Sequence, residues 1–334
     1  MEDKYLLKID KLKVDLMSVQ GIVHAVRGVS LQVKQGEIHG IVGESGCGKS
    51  MTIKSIMRLH SEDRVRYGGS ILFGEEQKNI LELNKKEIRK FRGKEVSMIF
   101  QDPMVSLNPI MKVGKQIEEM IMNQSGVSRA EAKERILDIF RQIRIMPPEE
   151  RYEQYPFEMS GGLLQRIMIA MAVSCHPNLL IADEPTTALD VTIQDQILKL
   201  MKRLQKESNM SIIIVTHNLG VIAEICDFVS VMYAGRVVES APVVDLFDSP
   251  RHPYTMALID SNPKYGQSKT KMATIVGTPP SLVGELKGCP FAERCKYAKE
   301  ICRQKEPELV AAGPGRQCAC HRMDEIGKEG VANE

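Results

Sequence analysis

The sequence predicts an α/β fold: a mostly parallel core sheet, an N-terminal antiparallel β subdomain, a helical subdomain and a small cysteine-rich C-terminal domain. Three observations carry this. Short apolar runs of strand length alternate with helical segments, an early stretch alternates apolar and polar residues, and a glycine-rich loop falls between a strand and a helix.

Leu12, Val14 and Leu16 alternate with polar neighbours, as do Val29, Leu31 and Val33, with Gly21 and Gly36 as turn points. Period-two alternation lines one face with apolar side chains, so both segments read as antiparallel strands. Residues 38–42 form an apolar run ending at Gly43, and Ile53, Ile56 and Met57 then follow helical spacing. Apolar runs at 96–100, 179–182, 212–215 and 228–232 read as buried strands of a mostly parallel sheet. From about 104 to 160 no strand signal occurs; the segment 129–144 is rich in Glu, Lys and Arg and precedes Pro147-Pro148, which gives a helical insert. Beyond residue 250, Pro253, Pro263, Pro279, Pro280, Pro290 and Pro307 punctuate the chain and long periodic segments cease. Two domains are therefore expected, 1–250 and 251–334.

With 45 basic against 43 acidic side chains, the chain lacks the positive field by which nucleic-acid binders neutralise phosphates, so no nucleic-acid partner is expected. The opening MEDKYLLKIDKLKV is interrupted by Glu2, Asp3 and Asp10 and has no apolar signal core, so export is not expected. Apolar stretches such as 167–175 fall short of the roughly 20 residues that cross a bilayer, so any membrane attachment runs through another protein. Cys47, Cys175 and Cys226 are scattered, whereas Cys289, Cys295, Cys302, Cys318 and Cys320 crowd the tail. In a chain that stays in a reducing compartment, such a cluster points to metal ligation more than to disulfides.

The segment GESGCGKS comprises Gly43, Glu44, Ser45, Gly46, Cys47, Gly48, Lys49 and Ser50 and fits G-x-x-x-x-G-K-[ST] in its required strand–helix context. Its glycines let successive N–H groups turn inward on phosphate oxygens at a helix start, and Lys49 supplies the charge for the β and γ phosphates. The apolar run 179–182 ends in Asp183 and Glu184. Beside a phosphate loop, Asp183 suits Mg²⁺ together with the Ser50 hydroxyl, and Glu184 suits orienting and deprotonating an attacking water. Ser160, Gly161 and Gly162 precede the helical run LLQRIMIAMAV, whose first amides make a second anion site; alone, this also reads as a Ser-capped helix.

The run EMSGGLLQRIMIAMAV resembles the signature motif of ATP-binding cassettes, and other elements of that family occur in order: Gln101 in IFQDPMVSLNP, TALD at 187–190, and His217 in VTHNLG. The resemblance implies a P-loop NTPase of the ABC type that binds ATP and Mg²⁺. It implies that Ser160, Gly161 and Gly162 meet the γ phosphate held by a second cassette, identical or paralogous. By the same resemblance Gln101 contacts Mg²⁺ and the γ phosphate, His217 positions the γ phosphate and water, and Asp190 couples the two opposed sites.

A narrower similarity, in FQDPMVSLNP, in SGGxxQRxMIAMA and in SPRHPYTMALIDSNP at 249–263, is to the ATPases of oligopeptide and dipeptide importers, and it covers nearly the whole chain. It implies two transmembrane permease subunits, an extracytoplasmic substrate-binding protein and a peripheral place on the cytoplasmic face of the membrane. Nickel and glutathione importers use similar subunits, and a soluble cassette ATPase acting on ribosomes or DNA is the alternative from another class. Two departures stand out. Leu16 falls where cassettes usually carry an adenine-stacking aromatic residue, and Leu163-Leu164 replaces more polar residues.

Intervals of five, six and seventeen residues separate Cys289, Cys295, Cys302 and Cys320, and C-x-x-C pairs that would favour zinc or many iron–sulfur sites are missing. The importer resemblance implies a [4Fe–4S] cluster on these four, with Cys318 spare or exchanging with Cys320, and zinc as the alternative metal.

Overall fold

The computed structural model describes residues 4–19, 21–187, 189–261 and 275–329. Glu2, Asp3, Ala188, Pro263 and Asn262, all used in the sequence reading, lie outside the described residues. The fold divides into two compact units, one formed by Met1–Lys34, Ile38–Glu82 and Thr216–Glu334, the other by Gln35–Glu37 and Leu83–Val215.

The first unit opens with β1 (Tyr5–Ser18) and β2 (Gly21–Lys34), followed by β3 (Ile38–Val42), α1 (Lys49–Ile56), β4 (Val65–Phe73) and β5 (Lys78–Asn79). β1 pairs antiparallel with both β2 and β4, and β5 completes a sheet of order β2-β1-β4-β5. Leu7, Leu12 and Val14 of β1 and Val26, Val29 and Val33 of β2 are fully buried, so the alternation in the sequence is the inner face of this sheet.

The second unit holds α2 (Lys85–Lys94), β6 (Val96–Ile99), α3 (Pro103–Ser106), α4 (Val113–Ser125), α5 (Arg129–Gln142), α6 (Pro148–Glu153), α7 (Gly161–Val173), β7 (Leu179–Asp183), α8 (Val191–Ser208) and β8 (Ser211–Thr216). β6, β7 and β8 run parallel and every residue of the three is buried, which is why apolar residues dominate them. Between β6 and α7 the chain forms α3 to α6 and, among the described residues, no strand, over the stretch of about 104–160 where a helical insert is expected. Its starts are chemically marked: Ser128 caps α5 through Glu131 N, and Pro148 enters α6 at its first turn, where its missing N–H costs nothing.

The chain then returns to the first unit through α9 (Leu219–Ile225), β9 (Phe228–Tyr233), β10 (Arg236–Pro242), α10 (Val243–Asp248), α11 (Pro253–Asp260), α12 (Glu300–Gln304), β11 (Val310–Ala311), β12 (Gln317–Cys318) and α13 (Met323–Glu329). β9 lies parallel to β3 and antiparallel to β10, and β12 adds to the far side of β10.

Inside the helical insert, Glu118 is only 1% exposed and is ringed by donors: Arg129 Nε at 2.6 Å, Lys115 Nζ at 3.3 Å and the hydroxyl of Tyr152. Burial opposes its ionisation, but the hydrogen bonds from Tyr152, Arg129 and Lys115 win and hold the carboxyl below the usual glutamate range. A depressed carboxyl stabilises the fold above its unfolded pKa, and that contribution disappears as pH falls through the depressed value. Tyr152→Phe should lower the unfolding free energy by about 1–3 kcal/mol at neutral pH, read as a urea midpoint, with the deficit shrinking as the carboxyl protonates in acid.

Candidate functional site

The phosphate loop leaves the buried strand β3 and enters α1, the strand–loop–helix order the motif requires. Lys49 is 6% exposed, and its ammonium donates to the carbonyl oxygens of Gly43 at 2.7 Å and Glu44 at 3.0 Å, with Cys47 Sγ at 3.8 Å. The loop thus curls around the cation. Burial raises the Cys47 thiol above its ordinary range, with Lys49 pulling the other way. A Cβ at Gly43 would overlap the Met232 carbonyl oxygen and come within 2.8 Å of Cys47 Sγ, whereas Gly46, at φ 77°, faces open space. Ser50 lies in the first turn of α1. His217, at the end of β8, is exposed beside Asn218, which caps α9 through Gly220 N.

In the second unit, β7 ends at Asp183, 6% exposed, and the chain turns sharply at Glu184, whose φ of 49° lies in the left-handed region. A non-glycine residue pays about 1–2 kcal/mol for that conformation, and such positions cluster at functional sites. One carboxylate oxygen of Glu184, Oε2, accepts from Gln101 Nε2 at 3.0 Å and from Thr187 Oγ1 at 2.9 Å. The structure therefore brings together two residues that the sequence assigned separately, and adds Thr187, known beforehand only as the start of the TALD turn.

Ser160 occupies the N-cap position of α7 with extended backbone angles, yet its hydroxyl makes no capping hydrogen bond. The simple Ser-cap reading therefore fails on geometry. Ser160, Gly161, Gly162 and Asp190 line one open pocket of about 590 Å³ together with Arg144, Arg151 and Arg166, which the sequence reading did not single out. Asp190 caps α8 by accepting from Ile193 N at 2.9 Å. A Cβ at Gly162 would approach Ile193 Cγ2 to 2.9 Å, so the glycine lets α7 start close to α8.

Cys289, Cys295, Cys302 and Cys320 line one cavity with His252, Phe291 and Arg322. Cys318 is not among its lining residues and is fully buried in β12. Burial pushes the Cys289 thiol up to about 12 and the Cys320 thiol up to about 11, and the neighbouring cysteines push each further the same way. As soft donors with mutually unfavourable negative charge, these four suit a thiophilic metal centre in kind. In arrangement they do not form one: among the described residues no group of three or more His, Cys, Asp or Glu side chains is set to hold a metal ion.

A family model described as ABC transporter matches residues 26–187, and one described as oligopeptide/dipeptide transporter, C-terminal region, matches residues 238–302. The chain is 49% identical to a probable peptide ABC transporter ATP-binding protein of Sinorhizobium fredii, over 96% of each chain. It is 46% identical to the oligopeptide transport ATP-binding protein OppD of Salmonella typhimurium (95% of this chain, 93% of that one) and 43% identical to the dipeptide transport ATP-binding protein DppD of Bacillus subtilis (98% and 97%). Among solved structures, a dimeric post-hydrolysis state of the ATP-binding cassette MJ0796 bound to ADP and Pi is 25% identical with a TM-score of 0.63, covering 71% of this chain and 98% of that one. The structure of cbiO1 from Clostridium perfringens, part of an ABC transporter complex, is 29% identical at the same TM-score, covering 73% and 91%.

The fold with its phosphate loop is accordingly that of an ATP-binding cassette. Within that class, the chain belongs to the family of ATP-binding proteins of oligopeptide and dipeptide ABC transporters.

The two loop glycines make a paired test of the geometry. Gly43→Ala should abolish binding of a fluorescent ATP analogue, because backbone must move to admit the methyl group; Gly46→Ala should cost only the left-handed backbone penalty of about 1–2 kcal/mol and retain measurable binding.

Proposed function

We propose that this chain hydrolyses ATP to drive import of peptides, as the nucleotide-binding subunit of an ABC transporter on the cytoplasmic face of the cell membrane. The observation that carries the reading is identity of 43–49% over nearly the full length of ATP-binding proteins named for peptide transport, in a chain whose Lys49 is enclosed by its phosphate loop. No helix among the described residues is long and apolar enough to cross a membrane, which suits a subunit that works peripherally through two permease partners, with a second cassette and a substrate-binding protein completing the assembly.

In this reading Gly43, Glu44, Ser45, Gly46, Cys47, Gly48, Lys49 and Ser50 bind the ATP phosphates by main-chain amides and the Lys49 charge. Ser50, Gln101 and Asp183 are oxygen donors of the kind Mg²⁺ prefers and would hold it; the ion supplies charge neutralisation on the phosphates. Glu184 takes the proton of the attacking water and His217 orients the γ phosphate. Ser160, Gly161 and Gly162 offer α7's free amides to the γ phosphate of ATP bound on the opposing cassette, and Asp190, at the rim of the same pocket, couples the two sites. We place the division between cassette and C-terminal domain near residue 250 and assign Cys289, Cys295, Cys302 and Cys320 to a [4Fe–4S] centre, with zinc the competing occupant. Soft donor chemistry and the four thiols' shared cavity support this assignment, although the thiols are not already arranged to hold a metal ion and would have to close around it.

Lys49→Ala should remove ATP binding, while Glu184→Gln should bind ATP normally and lose about 10²–10⁴-fold in turnover, measured as phosphate release. Loss of binding in both variants would sink the division of labour. Leu16→Tyr should tighten ATP binding severalfold by adding a π face for the base. Anaerobically purified protein should absorb near 400 nm with about four irons per chain; colourless protein with stoichiometric zinc would exclude the cluster.

A further inference from the structure

The phosphate loop carries an acidic side chain, Glu44, one position after Gly43, in a segment built to receive several negative charges. An unpaired carboxylate there would repel the phosphates it sits beside. The structure compensates it from a residue 250 positions away. Arg294, whose side chain is only 5% exposed, meets Glu44 in a two-armed ion pair: Nη1 to Oε2 at 2.7 Å and Nη2 to Oε1 at 2.9 Å. Such fork-to-fork pairs fix direction as well as charge.

The guanidinium is itself held from several sides. Its Nε donates to the Val276 carbonyl at 3.1 Å, Nη2 to the Ile275 carbonyl at 3.3 Å, and Nη1 to the Tyr233 hydroxyl at 3.2 Å. It also lies 5.8 Å from the ring centre of Tyr233 and 5.9 Å from that of Phe291. The loop's main chain is gripped as well, because the Glu44 N–H donates to the hydroxyl of the fully buried Tyr254 at 2.8 Å. Tyr233, Tyr254 and Phe291 form one aromatic group, with ring centres 4.6–5.3 Å apart.

We infer that Arg294 is a positioning residue for nucleotide binding: it neutralises Glu44 and holds it in a fixed direction, so that the phosphate loop presents a net positive field to ATP. Tyr254 fixes the same residue through its backbone. This rests on the reading of residues 43–50 as the ATP phosphate site. The residue acts through Glu44 and need not touch the nucleotide.

The test is a mutant cycle on the full-length protein with a fluorescent ATP analogue as the probe, thermal unfolding being followed in parallel. Arg294→Gln should weaken binding by about tenfold, because it frees an uncompensated carboxylate beside the phosphates. Glu44→Gln keeps the main-chain amide but removes the charge that Arg294 neutralises, so its own affinity, whatever its value, is the reference for the cycle. The double variant Glu44→Gln/Arg294→Gln should recover to within about twofold of Glu44→Gln, and Arg294→Lys, which keeps charge but not the fork, should fall between wild type and Arg294→Gln. A purely structural role for Arg294 would leave the double variant as weak as Arg294→Gln, and that result overturns the inference. So does unchanged binding by Arg294→Gln when Lys49→Ala has lost it. If Lys49→Ala binds as wild type does, the nucleotide reading itself falls and takes this inference with it.

Discussion

A buried ammonium group survives only where its donors are met, and Lys49 meets two of them with carbonyls of its own loop. That closure sets demands on everything around it. Main-chain oxygens can face inward only if the loop is tight, and it is tight only because Gly43 lets the Met232 carbonyl of β9 come within the space a side chain would fill. The parallel pairing of β3 with β9 is therefore part of the phosphate site rather than a platform beneath it. At the far end of the loop, Thr52 donates its hydroxyl to the Gly48 carbonyl at 3.0 Å and fastens the first turn of α1. A cation held by neutral carbonyls remains available to a stronger partner, which a cation locked into a carboxylate would not be.

What the sequence made legible is local. The alternation at Leu12 and Val14 and at Val29, Leu31 and Val33 became the buried face of β1 and β2, because a strand's two faces repeat every second residue, while Leu16, the third residue of the first alternation, is only half-buried. Three of the mainly apolar runs became β6, β7 and β8, buried throughout. The phosphate loop was legible because its spacing and its flanking elements lie within one short stretch. The bond from Gln101 to Glu184 spans 83 positions, and that from Arg294 to Glu44 spans 250. Single side-chain pairs at such separations leave no period and no composition bias, so only the folded chain displays them. Ser160 is the instructive intermediate. Its placement before a helix read as an anion site or, taken alone, as a simple cap; the hydroxyl does not cap, and the helix start is left open to another acceptor.

The stretch after residue 250 shows why texture is a poor guide to order. Few of its segments are periodic, but its described residues are fixed by side chains that link them to the strands of their own unit. Glu239 on β10 is 1% exposed, and its two oxygens accept from Arg251 N at 2.7 Å and His252 N at 2.9 Å, with Arg316 at 3.5 Å. Burial raises that carboxyl above its ordinary range, the surrounding donors pulling it back. Residue 239 also faces Cys318 across the ladder between β10 and β12. His252 completes the arrangement by accepting from Tyr254 N at 3.0 Å to cap α11, and its burial lowers the imidazole to about 4, so it stays neutral at physiological pH.

These anchors converge on one residue, Tyr254. Its backbone is set by the His252 cap, its ring packs on Tyr233 and Phe291, and its hydroxyl receives the Glu44 amide. A carboxylate on β10 thereby fixes 251–252, which fixes the start of α11, which fixes the acceptor for a phosphate-loop amide. Each link is a hydrogen bond or a ring contact between buried or part-buried groups, and where a donor is buried leaving it unmet costs about 1–3 kcal/mol, so a slip at one link leaves the next without a partner. The C-terminal stretch is thus written into the geometry of the phosphate loop. Removing it would strip Glu44 of both its charge partner and its main-chain acceptor at once.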